Sequence, residues 1–220
     1  MHDGDMASSP DEYWERRREI TPSPERPIVT DGDRQLALVV EVDDPGVRAA
    51  YGRLRDRLER FDCLRPTPSG ELHLSLKLFD HALEAVRGDT APVRIEEIDS
   101  AVAEMLADRD GFEIGFPRLN LFPDAVYAEV DADGVLSALN GALCDRAWAA
   151  TSDRDREQFV PHLTLGYLTA DEGFDRLVDY LERHRELSFP TATVTELSLV
   201  AADGSSGWRS ASTTLRTYPL

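Results

Sequence analysis

Lysine is almost absent from this chain. Its 220 residues include 24 basic side chains, of which only Lys77 is a lysine, against 42 acidic residues, so the net charge at neutral pH is −18. Such a surplus of acid repels polyanions, which argues against a protein that coats long duplex nucleic acid. The composition is also typical of a halophilic protein that works in molar salt, although a GC-rich genome depletes lysine in the same way.

Cysteines and long apolar runs are scarce as well. Cys63 and Cys144 are too few for a disulfide framework, and we expect both to be reduced thiols. No apolar run approaches the length of a membrane span, and the N-terminus is too polar for a secretory signal. These absences predict a soluble, cytoplasmic protein without membrane contact, and we expect a monomer.

The first part of the chain differs from the rest. Residues 1–33 contain four prolines and no strand pattern, which predicts an N-terminal tail or a surface-packed arm. Residues 34–220 then alternate predicted strands and helices with short connections, which predicts a single bilobal domain.

This domain contains an internal duplication. EVDDPGV at 41–47 and EVDADGV at 129–135 agree at five of seven positions, 88 residues apart, and HLSL at 73–76 returns as HLTL at 162–165, 89 residues apart. Each copy follows a strand–helix–strand–helix–strand pattern, over about 35–118 and 124–202, and a closing strand runs to 220. We therefore predict an α+β fold of two β-α-β-α-β units related by a pseudo-two-fold axis.

Each copy places a histidine and a hydroxyl residue on its second strand. Period two predicts that one face of the first strand is core and that the opposite face carries His73, Ser75, Lys77 and Phe79. In the second strand the equivalent face carries His162, Thr164 and Gly166. Each histidine then lies about 7 Å from a hydroxyl on the same face. Two imidazoles supply an acid and a base near neutral pH, and hydroxyls donate to phosphate oxygens.

The paired HLSL and HLTL motifs resemble those of the 2H phosphoesterase superfamily, in its 2′-5′ RNA ligase-like branch. The resemblance extends over the bilobal duplication and the FVPHLTLGYL context. It implies mainly antiparallel sheets that line a central cleft, and action on 2′,3′-cyclic phosphates of RNA ends without a metal or other cofactor. By position it implies catalytic roles for His73 and His162, and phosphate-binding roles for Ser75 and Thr164.

The chain departs from the family pattern at one place. Many members have a basic residue soon after the second motif, where this chain has Gly166 and Tyr167. We therefore expect Lys77 to supply a cation to the phosphate from the first strand. The alternative is that Lys77 is a solvated lysine at a strand end.

Several other interpretations stay open. The two histidines could be structural, and a zinc site is disfavoured because a third ligand at suitable spacing is missing. The chain could act on small nucleotides rather than RNA, as its charge favours, or bind RNA ends without turnover. Arg118 and Tyr127 are further candidates for the cleft, and the candidates for base stacking are Phe79, Phe159, Trp208 and Tyr218. His2, His81 and His184 are expected to have no role.

The predicted mechanism is acid–base catalysis by the two motif histidines. By analogy, His162 takes a proton from water and His73 protonates the departing ribose oxygen. Microscopic reversibility then permits 2′-5′ ligation as the reverse reaction.

Overall fold

The computed structural model describes residues 7, 9–23, 34–82, 95–146, 154–203 and 212–220. The helices in these ranges are α1 (Pro10–Glu15), α2 (Pro45–Leu58), α3 (Ile95–Leu106), α4 (Val135–Cys144) and α5 (Phe174–Arg183). The strands are β1 (Arg34–Glu41), β2 (Leu64–Pro66), β3 (His73–Ala82), β4 (Phe112–Ile114), β5 (Leu119–Leu121), β6 (Ala125–Glu129), β7 (His162–Leu168), β8 (Ala192–Val194), β9 (Glu196–Asp203) and β10 (Ser212–Pro219).

The strands form two four-stranded sheets and one strand pair. The first sheet has the order β10-β9-β1-β3, the second has the order β2-β7-β6-β5, and β4 pairs with β8. All of these pairings are antiparallel. The predicted α+β fold of two antiparallel lobes is confirmed.

The two copies of the duplication exchange strands. β5, from the end of the first copy, pairs with β6 of the second copy, and β9, from the end of the second copy, pairs with β1 of the first. Each sheet therefore contains strands from both copies, and the two lobes interlock. The boundaries of the arm and of the two copies stay predictions.

One predicted strand is divided in the structure. The apolar pattern of GFEIGFPRL at 111–119 predicts a single strand, but β4 ends at Ile114 and β5 begins at Leu119. Pro117 lies between them and has no N–H group for a ladder hydrogen bond. The short strand β2 was not predicted, because three residues are too few to show a period.

Helix α2 begins where its sequence predicts. The Asp44 carboxylate accepts a hydrogen bond from the backbone N–H of Val47 at 2.9 Å, and Pro45 occupies the first helical position. The helix that starts here contacts β2, and its Tyr51 and Leu58 side chains are buried in the main core.

The described part of the N-terminal segment packs against the protein. We call residues 9–23 the N-terminal arm; it contains α1 and its Tyr13 side chain is buried. Cys63 and Cys144 are free and buried. Within the described residues, no helix is long and apolar enough to cross a membrane.

Candidate active site

The two motif histidines occupy equivalent places in the two sheets. His73 is the first residue of β3 and His162 is the first residue of β7, and these two strands contact each other. Both side chains are half-buried. The structure thus brings the two predicted catalytic strands together where the lobes meet.

Each imidazole bonds to the backbone carbonyl of the residue two positions before it in the chain. Nδ1 of His73 lies 2.8 Å from the carbonyl oxygen of Glu71, and Nδ1 of His162 lies 2.7 Å from that of Val160. Because a carbonyl oxygen only accepts, Nδ1 carries the hydrogen in both rings. Nε2 is then the nitrogen that takes up or releases a proton, and the ring orientation is fixed in advance.

The hydroxyl residues follow on the same face of each strand, which we call the cleft face. Ser75 and Thr164 are half-buried, two positions beyond their histidines. Ser75 lies opposite Val39 in the β1–β3 ladder, and Thr164 lies opposite Tyr127 in the β6–β7 ladder. Val39 and Tyr127 are themselves 88 residues apart, so the duplication extends to the register of the sheets.

Both strands that carry the motifs contain a β-bulge immediately after the hydroxyl residue. In β3 the ladder passes from Ser75 to Lys77 and omits Leu76. In β7 it passes from Thr164 to Gly166 and omits Leu165. An extra residue in one strand reverses the alternation of its side chains.

This reversal corrects the predicted position of Lys77 and Phe79. Beyond the bulge, Leu78 packs with Ala37 and Val39, whereas Phe79 belongs to the main core. Lys77 is buried with an exposed fraction of 2%. The prediction that Lys77 and Phe79 share the cleft face with His73 is therefore wrong, as is the equivalent prediction for the buried Gly166.

Lys77 has a carboxylate partner inside the protein. Its ammonium group forms an ion pair with Asp155, and Asn140 Nδ2 donates to the other carboxylate oxygen of Asp155 at 2.9 Å. A buried ammonium that is neutralised in this way does not serve a phosphate on the cleft face. We therefore leave Lys77 out of the proposed phosphate site.

The two bulges are held by helices of the opposite copies. The hydroxyl of Tyr51 in α2 is shared between the carbonyl oxygens of Thr67 (2.5 Å) and Leu165 (2.8 Å), and Asn140 of α4 donates to that of Leu76 at 2.9 Å. Tyr51 and Asn140 are 89 residues apart, the same offset as the histidine motifs. Each helix thus supplies a hydrogen bond to the extra residue of the other copy's motif strand, where a bulge disrupts the ladder.

Aromatic rings enclose the second histidine. The centroid of the His162 ring lies 4.9 Å from that of Phe122 and 5.6 Å from that of Tyr127, both edge-on. Burial lowers the pKa of His162, and the hydrogen bond to Val160 opposes this shift. Phe122 was not among the predicted site residues, because nothing in the FPD sequence at 122–124 indicates a neighbouring active site.

Tyr127 and Arg118, both predicted candidates for the cleft, are engaged in packing. Tyr127 is fully buried, and its hydroxyl has no hydrogen-bond partner among the residues that the structure describes. Arg118 Nε donates to the Glu129 carboxylate at 2.8 Å, and Glu129 lies opposite His162 in the ladder. Arg118 thus contributes to the wall beside His162 through Glu129.

The remaining candidates lie away from the cleft face or outside the described residues. Tyr218 is buried and its hydroxyl donates to Asp99 at 2.9 Å, and Phe159 packs against the main core. Trp208, His2 and the side chain of His81 are outside the described residues. His184 is exposed and stacks on Tyr180. Among the described residues, no group of three His, Cys, Asp or Glu side chains is placed to hold a metal ion.

Similarity to known proteins extends over most of the chain. Residues 43–206 match the family model described as the 2′-5′ RNA ligase superfamily. A protein of Methanothermobacter thermautotrophicus named RNA 2′,3′-cyclic phosphodiesterase is 27% identical over 168 residues, which cover 74% of this chain and 86% of that protein.

Solved structures show the same fold at lower identity. LigT of E. coli, crystallised with 3′-AMP, is 18% identical with a TM-score of 0.60, and covers 86% of this chain and 98% of its own. A protein of Thermus thermophilus is 19% identical with a TM-score of 0.56, and covers 84% of this chain and 97% of its own.

Proposed function

Since the chain belongs to the 2′-5′ RNA ligase superfamily, we propose that it is a phosphodiesterase that opens 2′,3′-cyclic phosphates at RNA ends without a metal. The observation that carries this proposal is the pair of histidines on contacting strands, each with Nδ1 bound to a backbone carbonyl, so that Nε2 is the nitrogen that exchanges a proton. The name of the Methanothermobacter relative supports the same substrate class.

The surroundings of the two histidines support a division of roles. Burial lowers the pKa of His162, so its imidazole is neutral at neutral pH and suited to be the general base. Its Nε2 takes a proton from water, the water oxygen bonds to phosphorus in line, and the bond from phosphorus to one ribose oxygen breaks. Nε2–H of a protonated His73 gives its proton to that oxygen.

The hydroxyls of Ser75 and Thr164 are the proposed phosphate ligands. Both lie on the cleft face beside their histidines, where each donates a hydrogen bond to a non-bridging oxygen. These bonds strengthen as negative charge accumulates on the oxygens in the transition state. With a 5′-hydroxyl in place of water, the same groups join a cyclic phosphate end to that hydroxyl: its oxygen bonds to phosphorus as the bond to one ribose oxygen breaks, which is the 2′-5′ ligation implied by the family.

The net charge favours a second candidate, a cyclic phosphodiesterase of small nucleotides. A protein with a charge of −18 repels a long RNA more strongly than a mononucleotide. High salt screens the remote charges that cause this repulsion. A substrate comparison at low and high KCl therefore separates the two candidates: repulsion predicts that salt helps the oligonucleotide more.

The decisive experiment follows ring opening of an oligonucleotide with a 2′,3′-cyclic phosphate end, in molar KCl and EDTA. Wild type is compared with His73→Ala, His162→Ala and, as a matched control, His184→Ala on the exposed surface. We expect activity in wild type and in the control, and losses of about 10²-fold or more in both motif variants. Activity that needs an added metal, or that survives either motif variant, would refute the mechanism. Binding of the oligonucleotide without turnover would identify a binding module instead.

A further inference from the structure

The N-terminal arm contacts the aromatic residues that enclose His162. The ring of Tyr13 lies edge-on to Phe122 with centroids 4.8 Å apart, and Phe122 lies edge-on to the His162 ring at 4.9 Å. Tyr13 and Phe122 belong to a buried cluster, separate from the main core, that consists of Ala7, Tyr13, Phe122, Tyr127 and Val160. A single side chain therefore separates the arm from the imidazole.

The arm is fixed at several points along its length. Its anchoring hydrogen bonds are Asn120 Nδ2 to the carbonyl of Pro10 (2.7 Å), Arg17 Nε to the carboxylate of Glu182 (2.7 Å) and the N–H of Ser23 to the carbonyl of Pro123 (2.6 Å). These partners belong to β5, to α5 and to the turn before β6. The arm thus has a defined position relative to His162.

Among the described residues, the aromatic contact with the arm lies on the second sheet. Tyr127, opposite Thr164, stacks on Phe122 at 4.0 Å. Its equivalent in the first sheet, opposite Ser75, is the aliphatic Val39. The two ladders therefore differ at this position, because the second has an aromatic ring where the first has an aliphatic side chain. Phe122 stacks on that ring, and Tyr13 of the arm packs on Phe122.

We propose that Tyr13 is a positioning residue for His162: through Phe122 it holds the imidazole in place and excludes water from the edge of the ring that Phe122 contacts. This inference rests on the proposed function for its catalytic meaning, because there His162 is the general base. The N-terminal arm is then part of the active site. An imidazole that moves by about 1 Å loses up to about a hundredfold in rate.

Removal of the Tyr13 ring changes the solvation of His162 rather than the charge around it. Burial raises the pKa of Tyr13, so its phenol is neutral at neutral pH. The charged and titratable groups that face His162 from the neighbouring elements are Asp124, Glu129, Tyr127 and Arg154, with His73 on the contacting strand β3. All of these stay in place in Tyr13→Ala, so a rise in the pKa of His162 reports its rehydration.

The test is an NMR titration of the histidine Cε1–Hε1 signals in the full chain, with His162 assigned by its loss in His162→Gln. We expect the pKa of His162 to rise in Tyr13→Ala, whereas that of His73 stays unchanged as an internal control. Tyr13→Phe retains the ring and is expected to behave as wild type. Tyr180→Ala removes a tyrosine ring from α5 and is the matched control for His162.

Rates of ring opening are measured on the same variants. In Tyr13→Ala we expect kcat/KM to fall by about ten- to a hundredfold, and the acidic limb of its pH profile to move up with the pKa of His162. An unchanged titration and an unchanged rate in Tyr13→Ala would overturn the inference. If Tyr13→Ala does not fold, Tyr13→Leu is used, with the same expected direction.

The titration keeps this inference separate from the proposed function. A shifted His162 titration in a protein that opens no cyclic phosphate would refute the proposed function and leave the positioning role in place. If wild type is active, and Tyr13→Ala changes neither the pKa of His162 nor the rate, the positioning role alone is refuted.

Discussion

The buried ion pair of Lys77 and Asp155 offers a prediction in which stability and function separate. The two side chains have exposed fractions of 1% and 6%, so neither charge can be solvated by water if its partner is removed. Without Lys77, the Asp155 carboxylate still accepts a hydrogen bond from the amide of Asn140 at 2.9 Å, but it has lost its neutralising charge. The perturbation is Lys77→Met, which keeps the length of the side chain and removes its charge.

The expected cost follows from the desolvation of the carboxylate that remains. Breaking one partner of a buried pair costs about 3–5 kcal/mol, whereas replacing both partners by apolar residues of similar volume is often neutral. We therefore expect Lys77→Met to lose about 3–5 kcal/mol, and the double variant Lys77→Met/Asp155→Leu to recover most of that loss.

Urea unfolding measures these free energies, and an exposed pair provides the control. Arg55 and Glu59 form an ion pair on the surface of α2, with exposed fractions of 39% and 47%. Arg55→Met also removes one cation and is expected to cost less than about 1 kcal/mol. A loss in Lys77→Met no larger than that in Arg55→Met would refute the argument from burial.

The double variant also tests the rejected phosphate role of Lys77. If the pair is structural, the double variant folds and opens cyclic phosphates with most of the wild-type kcat/KM. If Lys77 binds the phosphate, the double variant recovers its stability, but its kcat/KM is as low as that of Lys77→Met. Stability and rate measured on the same protein distinguish these outcomes.

Three further predictions follow from the same geometry. Gly166→Ala would place a Cβ atom 3.1 Å from the backbone of Arg65 and Pro66, so we expect a loss of about 1–3 kcal/mol in thermal unfolding; an unchanged Tm would mean that β2 shifts freely. Tyr127→Phe removes a buried hydroxyl without a described partner, so we expect stability to rise by about 1 kcal/mol with KM unchanged; a raised KM would show that the hydroxyl contacts substrate. Because the pKa of His162 is lowered in the folded state, its contribution to stability is present above the ordinary pKa of about 6.5 and is lost as the pH falls through the folded value. Urea unfolding of His162→Gln should show a weaker decline on acidification than wild type, and an equal decline would contradict the assigned direction.

The order of elements and the two motifs could be predicted because they depend on local patterns. The period of β3 and the start of α2 at Asp44 and Pro45 are written in adjacent residues. Because the duplication repeats the motif, it also indicates a second, equivalent histidine. These signals were enough to indicate the fold and to place His73 and His162 on equivalent strands.

The bulges were not predictable from the same patterns. Leu76 and Leu165 continue the alternation of leucines without interruption, although each is the residue that the ladder omits. Their partners, Asn140 and Tyr51, come from helices far along the chain. Because one extra residue reverses the alternation of side chains, the period of the strand predicted the wrong face for Lys77.

The exchange of strands between the sheets was hidden for a similar reason. β5 and β9 read as the last strands of their own copies, and nothing in their composition indicates which sheet they join. Pairing with the opposite copy connects residues that are distant in sequence, such as Leu38 and Leu199. A sequence pattern describes what each strand buries but not which strand lies beside it.

The duplication explains the two histidines, but identical motifs do not by themselves make an acid and a base. Both rings have the same backbone hydrogen bond, so tautomer and orientation do not distinguish them. What differs is the ladder position opposite the hydroxyl, where the second copy has Tyr127 and the first has Val39. Burial lowers the pKa of His162, and Tyr127 and Phe122, whose rings contact its imidazole, belong to a buried cluster with Tyr13 of the arm. The proposed division of labour therefore depends on side chains outside the motifs, which the duplicated copies do not share.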